Sequence, residues 1–308
     1  MGWGRDEIND YYYWGGHFDI QEFLNEQGFN VHTLSVGPVS SNYDRAIEVF
    51  YQIKGGQVDY GKNHSEKYNL IQKPESKHYK GIYPEWDNEH PIHIIGHSQG
   101  GQTARMLDLL LEMQEEGENN ILKNNYTGWI KSITTISTPH NGTTLVPIID
   151  NIFPFAQTMI IWINAIGQSK NIEQFYNFDL QHWGLYKKNN ESIRNYINRI
   201  KNSPISKTKN FCKWDLSIEG SIEFNKICTT NDSTYYYSYS TSTNINEKNE
   251  IDIRLKYKLQ SILIKRAGEY PEEWKENDGI VNTISMPGPQ NETIMIYNGK
   301  SISGKWQN

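Results

Sequence analysis

Ser98 lies in Gly96-His97-Ser98-Gln99-Gly100, between the apolar run Pro91-Ile92-His93-Ile94-Ile95 and the amphipathic stretch Gly101 to Leu111. A serine hydroxyl is a weak nucleophile until a neighbouring base takes its proton. A strand that passes through Gly-x-Ser-x-Gly straight into a helix presents that hydroxyl at the tip of a sharp turn, where a carbonyl carbon can reach it. Gly96 and Gly100 are expected to be glycines because a Cβ at either would strike the adjoining strand or helix. The backbone N–H of Gln99, directly after the nucleophile, is then a donor to the oxyanion. The bare five-residue pattern also suits a Gly-rich strand-to-helix connection, but the β-branched run before it and the helical stretch after it favour the nucleophile reading.

Such a turn is the nucleophile elbow of the α/β-hydrolase fold, whose catalytic residues follow the order nucleophile, acid, histidine. The nine histidines are His17, His32, His64, His78, His90, His93, His97, His140 and His182, and none lies in the last third of the chain. The sequence thus carries the nucleophile of a hydrolase and lacks the histidine base. The elements around the elbow fit the fold. Residues 19–26 read as a helix, 31–36 as a strand ending at Gly37-Pro38, and 44–54 as a helix closed by Gly55-Gly56. Later strands are expected at 132–137, 234–239 and 293–297, and loops at 242–250 and 301–308. Strands alternating with helices predict a mostly parallel sheet with helices on both faces.

The chain has 308 residues, enough for one large α/β domain over 1–308. A net charge of -6 without a Lys/Arg block argues against nucleic acid as a partner. Cys212 and Cys228 form one bridge or stay free. No basic stretch followed by an apolar one opens the chain, so no signal peptide is read there.

Several segments resemble the secreted lipases of thermophilic Bacillus and of staphylococci. They are Gly2-Trp3-Gly4-Arg5, Tyr13-Trp14-Gly15-Gly16, Val36 to Arg45, Gly96 to Arg105, Thr138 to Leu145, Trp183-Gly184-Leu185, Trp214-Asp215-Leu216-Ser217 and Asn277 to Thr283, in the family's order. The resemblance implies secretion, a lipid or other ester substrate met at a lipid–water interface, and triacylglycerol lipase or carboxylesterase activity. It assigns the catalytic acid to Asp278, although Asn277-Asp278-Gly279 alone reads as a tight turn. In the family pattern the histidine falls after the segment matching Gly304 to Asn308, and a His-Gly-Phe segment supplying an oxyanion donor falls before the one matching Met1 to Gly4. The chain is therefore expected to be an α/β-hydrolase domain incomplete at both ends.

The resemblance further implies zinc held by two aspartates and two histidines. Asp44, His64 and Asp215 match three positions, and Leu70 stands at the fourth, so His78 is the nearest substitute. Two imidazoles and two carboxylates suit tetrahedral zinc. Taken singly, Asp44 and Asp215 also suit helix termini and the histidines suit solvated loops. No calcium ligands are assigned. The resemblance places a helical lid within 145–183, with Phe153, Phe155, Met159, Ile160 and Trp162 turned to acyl chains; a buried core helix is the alternative. The competing reading of the whole is a non-catalytic hydrolase-fold fragment or binding protein.

Overall fold

The structure, a computed structural model, describes residues 12–113, 121, 124, 126–146, 178–242 and 269–308. The contacts of the chain gather into two compact units. One is Met1–Pro84 with Asn151–Phe211, the other Glu85–Asp150 with Cys212–Asn308. The lid residues Phe153, Phe155, Met159, Ile160 and Trp162 lie outside the described residues.

In the first unit, α1 (Ile20–Glu26) starts at Asp19, whose carboxylate accepts from the Glu22 N–H. The stretch 31–36, expected as a strand, joins no sheet among the described residues. Side chains near α1 take its backbone groups instead: Asn25 Oδ1 accepts from the Val31 N–H and Gln21 Oε1 from the Thr33 N–H. Next, α2 (Asn42–Lys54) is capped by Ser41, and Gly55 closes it at φ 94°. It buries Ala46, Ile47, Phe50 and Ile53, each large apolar side chain gaining about 1.5–3 kcal/mol. The buried Glu48 on α2 accepts from Tyr60 Oη and Lys77 Nζ, both at 2.7 Å, and Lys77 also reaches Asp179. A buried carboxylate is tolerable because it is paired and hydrogen-bonded. β1 (Gly56–Gln57) pairs antiparallel with β2 (His78–Tyr79), and α3 (Lys62–Tyr68) lies between them in sequence.

Among the described residues, the second unit is built on five strands, β3 (Ile92–His97), β4 (Ile130–Ile136), β5 (Tyr235–Tyr239), β6 (Ile294–Met295) and β7 (Trp306–Gln307). Their order is β3-β4-β5-β7-β6 and every pairing is parallel. β6 is shorter than the expected 293–297, and β7 arises where a polar loop was expected. The reason is Trp306: its buried ring packs 4.5 Å from the His140 ring and 5.1 Å from Tyr236, drawing the end of the chain into the sheet. From β3 the chain turns into α4 (Gln99–Glu112), which buries Ala104, Leu107, Leu110 and Leu111. Cys212 and Cys228 are buried and form no disulfide with each other.

Candidate active site

Ser98 sits between β3 and α4 with φ 55° and ψ −128°, a positive φ that non-glycine residues avoid. Such a conformation costs on the order of 1–3 kcal/mol and persists only where its surroundings hold it. Here Ile136 O accepts from the Ser98 N–H at 2.9 Å, and Ser98 O accepts from Thr138 Oγ1 at 2.9 Å and the Gly101 N–H at 3.1 Å. Gln99 is the first residue of α4 and is buried; the first N–H groups of a helix point out of its N-terminal end toward such a site. The glycine expectation is half corrected. A Cβ on Gly96 would lie 2.5 Å from Gly100 C and Gly101 N, whereas one on Gly100 would meet nothing within 4 Å. The second intolerant position is Gly101, where a Cβ would stand 2.2 Å from Thr138 Oγ1. Gly100 faces away from the strand across which Gly101 packs.

Asp278 occupies a tight loop spanned by the Asn277–Asn282 bridge. Its Oδ1 accepts from the Ile280 and Val281 N–H groups, both at 2.9 Å, and its Oδ2 from Thr241 Oγ1 at 3.0 Å. Thr241 in turn shares a 2.7 Å hydrogen bond with Ser137 Oγ. Ser137 follows β4 directly and Thr241 follows β5 by two residues, so Asp278 is tethered to the carboxyl edge of the sheet, the edge at which Ser98 follows β3. Nothing in the sequence marks Thr241 or Ser137 for this role.

No histidine is hydrogen-bonded to Ser98 or Asp278 among the described residues. His140 is wholly buried, its Nε2 3.1 Å from Thr135 Oγ1 and its Nδ1 3.4 Å from Arg105. Burial and the Arg105 charge push its pKa well below the ordinary value. His97 belongs to β3, and burial lowers it to about 4 against an opposing pull from Asp278.

In the first unit, Asp44 is fully buried in the first turn of α2. Its Oδ1 lies 2.8 Å from His64 Nε2, and its Oδ2 accepts from Asn210 Nδ2 at 2.8 Å and lies 3.3 Å from His182 Nε2. Burial would raise the carboxyl, but the two imidazoles outweigh it and hold Asp44 below the usual carboxylate range. His64 stacks on Tyr43 at 3.9 Å. His78 is exposed on β2, and Asp215 ends the short helix Cys212–Asp215 of the second unit. Among the described residues, no three His, Cys, Asp or Glu side chains already surround one point as metal ligands.

A parallel sheet whose first strand delivers a positive-φ serine into a helix defines an α/β-hydrolase fold, and solved lipase structures superpose on it. Residues 6–308 match the family described as "Lipase-like, C-terminal domain", and the chain belongs to that family. It is 35% identical to a lipase of Staphylococcus epidermidis over 98% of this chain and 46% of the relative. It is also similar to lipase 1 from Pelosinus fermentans, with 36% identity, TM-score 0.87 and coverage of 100% and 87% of the two chains. EstA from Clostridium botulinum gives 37%, 0.85, 100% and 77%. The chain spans about half the length of the curated relatives it matches. Among the described residues no helix is long and apolar enough to cross a membrane.

Proposed function

We propose that this chain carries the nucleophile and acid of a secreted carboxylic ester hydrolase, a lipase acting on triacylglycerols or related esters. Ser98 Oγ would attack the ester carbonyl, Gln99 N–H would donate to the oxyanion, and Asp278 would orient the imidazole that takes the serine proton. An acyl-enzyme would form and then be hydrolysed. The imidazole itself is proposed to come from outside these 308 residues, in line with the order nucleophile, acid, histidine of the fold. The lid role of Phe153, Phe155, Met159, Ile160 and Trp162 at a lipid surface is part of the same proposal.

The observation that carries this reading is the strained Ser98 backbone at the strand-to-helix turn. Strain of this kind clusters at functional sites, where it is part of the mechanism. The test compares p-nitrophenyl butyrate and palmitate hydrolysis by a longer chain extended past both ends with that of its Ser98→Ala form. Loss of turnover in the variant supports the proposal, and equal turnover overturns it.

We also infer a zinc ion, with Asp44 and His64 as ligands and Asp215 included by its sequence match alone. The buried donor set of carboxylate and imidazole suits the ion. When bound, zinc would supply a cross-link that stabilises the fold rather than a step of ester hydrolysis.

A further inference from the structure

We propose that His182, and not His78, supplies the second imidazole of the metal site; this rests on the zinc reading above. His182 lies in the short turn Gln181–Trp183, closed by Gly184 at φ 65°. Its side chain is wholly buried, and neither Nδ1 nor Nε2 has a hydrogen-bond partner among the described residues. A buried imidazole always carries at least one polar N–H, and leaving its groups unpaired costs roughly 1–3 kcal/mol. The residue nevertheless faces Asp44, with Nε2 3.3 Å from Oδ2 and out of hydrogen-bond alignment.

That separation has a meaning for an ion. Two donors each about 2.0–2.2 Å from a tetrahedral zinc stand about 3.4 Å apart. His182 Nε2 and Asp44 Oδ2 therefore already have the spacing of neighbouring ligands. His64 Nε2 lies on the other oxygen of the same carboxylate. Binding would exchange the His64–Asp44 hydrogen bond for two bonds to the ion. Asn210 Nδ2 holds Oδ2 from outside, the kind of support that orients a ligating carboxylate. The Tyr60 ring, 4.9 Å from that of His182, packs against the imidazole. His78, by contrast, is exposed at the β1–β2 pair.

The test loads the 308-residue chain and its His182→Gln and His78→Gln variants with zinc, then measures bound metal after dialysis and affinity by calorimetric titration. Cobalt(II) in place of zinc gives an independent readout through the strong visible absorption of a tetrahedral site. His182→Gln should lower affinity about 100-fold or more, exceeding the 10–100-fold cost of losing a ligand's partner, and abolish the zinc-induced rise in Tm. His78→Gln should leave both unchanged. Far-ultraviolet circular dichroism without metal establishes that His182→Gln is folded; if it is not, His182→Asn takes its place in the same measurement. Wild-type affinity in the His182 variants, or loss of binding in His78→Gln, overturns the assignment while leaving zinc in place. Absence of zinc binding by the wild type overturns the assignment and the zinc reading together.

Discussion

At residue scale, the elbow depends on which of its three glycines, Gly96, Gly100 and Gly101, a Cβ would obstruct. Gly-x-Ser-x-Gly is legible in the sequence, but the letters do not reveal that the close approach falls on Gly96 and Gly101 and spares Gly100. That depends on the helix phase after Ser98, which sets Gly101 against Thr138 and Thr135. Gly96→Ala and Gly101→Ala should each cost roughly 1–3 kcal/mol of stability or more, from forced overpacking. Gly100→Ala, in open space within a helix, should gain about 0.5–1 kcal/mol. Urea unfolding midpoints of the three variants check this order, and a Gly100→Ala form as unstable as Gly96→Ala would refute it. His182 was equally hidden: its letter stands beside Trp183-Gly184-Leu185, but only the fold brings it to Asp44 from a distant part of the chain.

At the scale of elements, long amphipathic helices and β-branched strands were readable because their period exposes them: α2, β3, α4, β4 and β5 all formed near their expected positions. The extended stretch 31–36 and the polar tail at 301–308 were not, since side-chain bonds from α1 decide the first and the burial of Trp306 decides the second. The packing of α4 on the sheet also contains a titrating group. Asp108 is buried and bonded to the Tyr236 and Thr234 hydroxyls. Burial lifts its pKa from 3.8 to about 7, with those hydroxyls pulling the other way. The folded chain then holds a proton that the unfolded chain releases between pH about 4 and about 7, so stability from this group is present below that window and lost as pH rises through it. Asp108→Asn should remove this fall. Unfolding free energies at pH 5 and pH 8 measure it, and an unchanged pH slope in the variant would contradict the assignment.

At the scale of the whole molecule, membership of the lipase-like family was legible because its motifs run in order along nearly the whole chain, and residues 6–308 match the family. The first compact unit is assembled from stretches separated in sequence by the elbow segment. The proposal to be tested at this scale is that Ser98 is a nucleophile whose base comes from outside these residues. Loss of the histidine from such a triad costs on the order of a million-fold in subtilisin, and loss of one oxyanion donor a further 10²–10³-fold or so. On that proposal, imidazole added to the solution can take the serine proton in place of a side chain. The decisive measurement is p-nitrophenyl butyrate hydrolysis by the 308-residue chain and its Ser98→Ala form across a series of imidazole concentrations, with the rate of imidazole alone subtracted. Expected is a rate near background without imidazole and a Ser98-dependent increase as imidazole rises. Identical rates for the two forms at every concentration would contradict the nucleophile, and full Ser98-dependent turnover without imidazole would contradict the missing base.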